Sequence, residues 1–287
     1  VRDAVDLMAK LDACLSRDRE GNPVRVVNCF SGLPAADVRP AAGEQEDASA
    51  KGPGGGKRAE AAAWAGGAEQ EGGVPGWHVC PWPDEHYDAF QRQMGFAGEV
   101  WRELAAEARD AGVALAFEMH PNFLVHNPET YLQLLELAGD DGSVLGLNFD
   151  PSHLFWRNMD PVAVVRYLNR TLGTAPIKHC HGKDTFVDRY NTAVNGNHSA
   201  LPYTREEDRV WRFVTIGEGW DPVNGAHDLN WWARFITELQ LGGYDHVMSI
   251  EHEDSRKSFA EGLGKALWVL ERVVNREAPG PVTWAGR

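Results

Sequence analysis

The chain has 287 residues, 43% of them hydrophobic, enough for one large core and for a single domain of barrel size. Its 28 basic residues stand against 42 acidic ones, and the formal net charge of −14 opposes nucleic acid as a partner, because basic side chains must meet the phosphates. Cys14, Cys29, Cys80 and Cys180 have neither CxxC spacing nor the density of a disulfide scaffold, and no apolar stretch reaches the ~18 residues of a membrane span, so no membrane partner and a reducing, cytoplasmic setting are expected.

Residues 3–15 show helical periodicity, and 24–30 read as a buried strand followed by the loop 31–34. From 37 to 76 the composition changes: ten Gly and ten Ala in forty residues, with Trp64 the only aromatic. Such a stretch buries too little apolar surface to offset its ordering entropy, and it is expected to be a disordered, low-complexity insertion. The pattern resumes at Trp77. Helices are expected over 96–111, 128–137, 161–168, 229–241 and 258–274, alternating with strands near Val113, Val144, Pro176, Trp211 and His246. Asn127 before Pro128 and Asp160 before Pro161 have the form of N-caps, and Gly112 and Gly242-Gly243 stand where helices end. The stretch 185–209, with Asn191, Asn195, Asn197 and His198, reads as irregular, either a lid over the site or a plain loop.

This alternation predicts an α/β fold, a (β/α)8 TIM barrel as one domain over 1–287, with 37–76 inserted. Six strands are legible where a closed barrel has eight, so the first two are expected to be lacking from this chain.

Four apolar runs end on metal-competent side chains: Glu118, Asp150, His181 and Glu251. Their separations of 32, 31 and 70 residues correspond to one, one and two βα units of roughly 30 residues, the intervening strand between His181 and Glu251 being the one at 211–216. All four donors therefore fall at the end of the barrel where its chemistry resides. Three carboxylates with one imidazole suit a site for one divalent ion, Mn²⁺, Mg²⁺, Co²⁺ or Zn²⁺, and not a thiolate-type structural metal site. His179 and His181 share a side of their strand; His181 is nearer the rim, and His179 is expected to be a deeper core histidine. His153 lies one turn beyond Asp150. His120 shares a face with Glu118, as a substrate contact or as support for a carboxylate. Lys183 is either a rim cation or a contact for a polar substrate group, and Trp156 and Trp82 are either a flat wall for a sugar or core packing.

The motifs FEMHP, NFDPSHLFW, HCHGKDT, GEGWD and SIEHED, in this order, make the chain resemble the xylose isomerase-like TIM-barrel superfamily, particularly its sugar phosphate isomerase/epimerase branch. The resemblance implies a small-molecule carbohydrate substrate and a single divalent metal held by Glu118, Asp150, His181 and Glu251. It further implies that Glu118 and Glu251 are the catalytic proton-transfer groups, that His153 contacts substrate, and that the chain can form a homo-oligomer. The expected activity is isomerisation or epimerisation through an enediolate. An inosose dehydratase-like elimination and a non-catalytic sugar-binding barrel are the alternatives. An abasic-site endonuclease is disfavoured, since it needs further ligands and a basic groove, and the first strand ends in Asn28-Cys29-Phe30-Ser31 without a histidine.

Overall fold

A computed structural model describes residues 1–3, 5, 24–31, 84–199 and 201–275. The expected insertion at 37–76, most of the expected first helix, Trp82, Cys14 and Cys80 lie outside the described residues.

Five parallel strands form the main sheet, in the order β1 (Val26–Cys29), β2 (Ala114–Glu118), β3 (Leu145–Phe149), β4 (Ile177–Gly182) and β9 (Met248–Ile250). All of β3 and all but the first residue of β2 are buried, as expected for strands covered on both faces. The sheet curls: Cα atoms of β1 and β4 come within 8 Å, whereas three strand spacings in a flat sheet would part them by about 14 Å. It forms a partial barrel.

Helices are interspersed with the strands. They are α1 (Asp84–Asp110), α2 (Pro128–Ala138), the single turn α3 (Ser152–Phe155), α4 (Pro161–Leu172), α5 (Arg189–Asn195), α6 (Leu229–Leu241) and α7 (Phe259–Val273). Asn127 caps α2 in a reciprocal box with Thr130, and Asp160 accepts from the backbone N–H groups of Val162 and Ala163. Gly139 and Gly173 close α2 and α4 in the left-handed conformation. The apolar face of α6 drives Trp231, Trp232 and Phe235 into the core, and Tyr131 donates its hydroxyl to the Leu145 carbonyl at 2.8 Å.

Three expectations need correction. Helix α1 starts at Asp84, well before 96, because Gly95 and Gly98 interrupt the hydrophobic pattern without breaking the helix. Gly98 is where α2 approaches closely, since a Cβ there would lie 2.5 Å from that of Leu137. The strand near Trp211 does not join the barrel sheet. As β6 (Trp211–Val214) it runs antiparallel to β5 (Asp184–Val187), in a second sheet of order β6-β5-β7-β8 with β7 (Trp220–Asp221) and β8 (Gly225–Ala226). β4 therefore pairs directly with β9. The chain leaving β4 continues extended into β5, which offers β6 an edge for antiparallel pairing. Finally, 185–209 is mostly regular, containing the rest of β5, helix α5 and a 3₁₀ turn over Tyr203–Asp208. Cation–π contacts of Arg209 with Tyr203 and Trp211, at 4.3 and 4.6 Å, tie the end of this stretch to β6.

Candidate metal centre

The four expected donors converge. Glu118 ends β2, Asp150 follows β3, His181 lies near the end of β4, and Glu251 follows β9, four neighbouring strands of the curled sheet. One ligand atom from each lies within 4.8 Å of all the others. Glu118 and Asp150 are buried, and His181 and Glu251 are half-buried toward the mouth.

Such a cluster is costly unless its charges are balanced. Lys183 supplies part of the balance: its buried ammonium lies 2.9 Å from Glu251 Oε2, 2.7 Å from Glu253 Oε2 and 3.3 Å from Asp150 Oδ2. His153 Nε2 lies 3.0 Å from Glu118 Oε1 and 3.4 Å from Asp150 Oδ2. Burial would raise the Asp150 carboxyl, but the charges of His153 and Lys183, with His181, hold it well below the usual range. Burial likewise opposes charge on His181, yet Asp150 and Glu251 push it up to about 10. Glu251 is held below the ordinary glutamate range, first by His181 and then by Lys183.

Two buried atoms of the cluster nevertheless make no hydrogen bond: Asp150 Oδ2 and His181 Nδ1. Nδ1 is 3.0 Å from Glu251 Oε2 but out of line for one. Orphaned donor atoms facing one another across a carboxylate-rich pocket are what a cation would satisfy, and the three-oxygen, one-nitrogen set fits a hard or borderline divalent ion.

The expected substrate contacts take different positions. The His120 and His153 rings lie 4.4 Å apart at the site, and burial, with the charges of His153 and Lys183, lowers His120 to about 3. His120 continues into Phe123 and Phe30, the last two stacked at 4.1 Å, with Phe30 exposed at the strand-end face. Lys183 sits over the Phe213 ring at 4.4 Å, so it is drawn inward and is not a rim cation. Trp156 is buried, with one face covered by Trp211 at 4.9 Å. His179 lies below the donor set, bonded to Ser249 Oγ at 2.9 Å, and burial lowers it to about 4.

Sequence reasoning missed Asn148, Glu253 and Phe213, all in contact with site residues. Asn148 and Glu253 each stand two residues from a ligand candidate, Asp150 and Glu251; strand parity alone would have flagged Asn148, whereas Glu253 lies past the end of β9. Phe213 had no comparable signal, because its position depends on the β5–β6 pairing.

The profile of the family described as Xylose isomerase-like TIM barrel matches residues 26–272. The chain belongs to this family. Uncharacterized protein YfiH of Bacillus subtilis (strain 168) is 34% identical over 207 residues, 71% of this chain and 61% of that protein. Inosose dehydratase of Clostridium perfringens is 26% identical over 153 residues, 53% of this chain and 48% of that enzyme. The chain thus spans less than two thirds of the length of either curated relative. Among solved structures, a xylose isomerase-like TIM barrel protein from Mycobacterium smegmatis in complex with magnesium matches at 16% identity and a TM-score of 0.46, covering 94% of this chain and 65% of that one. In this xylose isomerase-like barrel the donor cluster lies at the carboxyl ends of the strands. Among the described residues, no helix is long and apolar enough to cross a membrane.

Proposed function

We propose that the protein is a divalent-metal-dependent isomerase or epimerase that moves a proton at the carbon beside the carbonyl of a sugar or sugar-derived ketone, through an enediolate. The observation that carries this reading is the convergence of Glu118, Asp150, His181 and Glu251 within 4.8 Å. These four side chains would hold the ion. When bound, it supplies electrostatic stabilisation for the oxyanion that develops as the proton leaves.

The two glutamates reach the site from strands separated by β3 and β4, so they flank a substrate lying between them. Glu251, held ionised by His181 and Lys183, is ready to accept a proton at neutral pH. Glu118 shares its Oε1 with His153 Nε2, which steadies the carboxyl group as it gains or loses a proton. His120, kept neutral, offers a hydrogen bond to a substrate hydroxyl without adding charge. Lys183, paired with Asp150, Glu251 and Glu253, balances the charge of the cluster and holds the Glu251 carboxylate in place. Loss of water from the same enediolate is the second reading, favoured by the similarity to an inosose dehydratase.

The test is incubation with Mn²⁺ and a panel of ketoses, sugar acids and inososes in D₂O. Deuterium at the α-carbon with unchanged heavy-atom composition is expected. A product lighter by one water selects the lyase, and metal binding without exchange on any member of the panel overturns the catalytic reading.

Because His181 is pushed up to about 10, its ligating nitrogen must shed a proton on metal binding near neutral pH. Apparent affinity for Mn²⁺ is therefore expected to rise as pH increases from 6 to 9, by up to roughly tenfold per pH unit. Calorimetry in two buffers of different ionisation enthalpy measures the released proton, and equal heats in both would refute the displacement.

A further inference from the structure

Arg157 follows the single turn α3 and runs its side chain back along it. The guanidinium donates from Nε to the His153 carbonyl at 2.9 Å and from Nη2 to the His126 carbonyl. Both N–H groups lie on one edge of a planar group, so a single rigid fork grips acceptors from two different segments. Burial lowers the guanidinium to about 10, which leaves it charged at neutral pH, and hydrogen bonds from a charged donor are roughly twice as strong as neutral ones.

The two carbonyls belong to the segments that carry the histidines of the site. His153 stands in α3, which hangs from the end of β3: the Ser152 N–H donates to Asp150 Oδ1 at 2.8 Å, and the Ser152 carbonyl accepts from Thr185 Oγ1 at 2.8 Å. The far end of the turn is not closed in the α-helical way, because the Arg157 N–H donates to the Leu154 carbonyl, three residues back, at 3.0 Å. The bond that would have gone to the His153 carbonyl is made by the side chain of the same residue. His126 ends the loop that leaves β2 through His120 and Phe123, and the capping box of α2 at Asn127 anchors that loop from its other side. Between the two segments the rings of His120 and His153 lie 4.4 Å apart, with His153 Nε2 3.0 Å from Glu118 Oε1.

We propose that Arg157 is a positioning residue: one edge of its guanidinium joins the carbonyls of His126 and His153, and so holds the turn that carries His153 against the loop that carries His120. Its purpose rests on the proton-transfer reading of the site; the cross-tie itself does not. Arg157 touches no substrate in this scheme. It acts through His153, which steadies Glu118, and through His120. A displacement of about 1 Å at such groups costs on the order of 10²-fold in rate. The four ligand candidates stand at or just beyond strand ends, before either segment begins, so the loss is expected in turnover and not in Mn²⁺ affinity.

The experiment combines NMR of protein labelled at arginine and histidine with deuterium exchange at saturating Mn²⁺. Wild type is expected to show a slowly exchanging Nε–H, assigned to Arg157 by its absence from R157K, and a nuclear Overhauser contact between carbon-bound ring protons of His120 and His153. R157M is expected to lose that contact and to exchange substrate protons more slowly by on the order of 10²-fold, with Mn²⁺ affinity kept. R157K, whose ammonium lacks the fork, is expected to fall between R157M and wild type. A residue that served stability alone would lower the urea midpoint and leave the rate of the folded protein unchanged; that result, or a wild-type spectrum without the protected Nε–H, overturns the proposal. If R157M does not fold, R157K decides, and an R157K protein with the histidine contact and the rate of wild type overturns it. An Arg157-dependent histidine contact in a protein that exchanges no substrate proton refutes the isomerase reading and leaves the cross-tie standing.

Discussion

Glu118→Gln and Glu251→Gln are each expected to cut deuterium exchange by roughly 10²–10⁴-fold, the usual contribution of a positioned acid or base. Glutamine keeps the size of the side chain and one acceptor oxygen, so each variant can still hold an ion, although less tightly, while losing the group that takes or returns the proton. Mn²⁺ occupancy must therefore be measured alongside exchange, and rates compared at saturating metal. The environments predict a further asymmetry. Glu251 is partly exposed and shares Oε2 with Lys183 and His181, so its loss frees an ammonium that can approach Asp150 and compete with the metal. Glu118 is buried against His153, so E118Q should leave affinity nearer wild type and show its defect mainly in turnover. If both variants kept full exchange at saturating metal, proton transfer would have to be assigned elsewhere, with His153 and Lys183 the next groups at hand.

These residues were legible because each of four apolar runs ends on a donor, and because spacings of 32 and 31 residues match βα units. Strands β2, β3, β4 and β9 form with those donors at their ends and stand side by side. What the pattern could not carry was pairing. Trp211-Arg212-Phe213-Val214 has the composition of a strand whether its neighbour is parallel or antiparallel, and only the extended exit of the chain through Asp184 decides that it joins β5. Placing that strand in the barrel hid the second sheet, and with it Phe213 beneath Lys183. Asn148 was overlooked for a different reason: a single amide within a hydrophobic run resembles an imperfection until its two flanking partners are known.

The least legible feature is also the one with the largest expected effect on stability. Asp184 is far in sequence from Asp221 and His227, which stand six residues apart; the three carry no recognisable spacing and meet because β5, β7 and β8 belong to the second sheet. His227 is wholly buried, with Nδ1 2.5 Å from Asp184 Oδ1 and Nε2 2.8 Å from Asp221 Oδ2, and its ring stacks on Phe155 at 3.9 Å. Asp184 additionally accepts from the backbone N–H groups of Gly217 and Gly219 and from Trp232 Nε1. The group thus clamps the loop after β6 and helix α6 onto the residue next to Lys183. Burial alone would lower the imidazole, but the two carboxylates prevail and raise it to about 9. His227→Leu leaves two buried carboxylates without their cation and is expected to cost about 3–5 kcal/mol, read as a fall in the urea midpoint at pH 7. In wild type the stabilisation from the raised imidazole is fully present below its ordinary value of 6.5 and is lost as pH climbs through about 9. Urea midpoints from pH 6 to 10 should therefore decline across that window in wild type and much less in H227L. A flat wild-type profile, or an H227L midpoint equal to wild type, would show that the buried imidazolium does not hold the second sheet and helix α6 together.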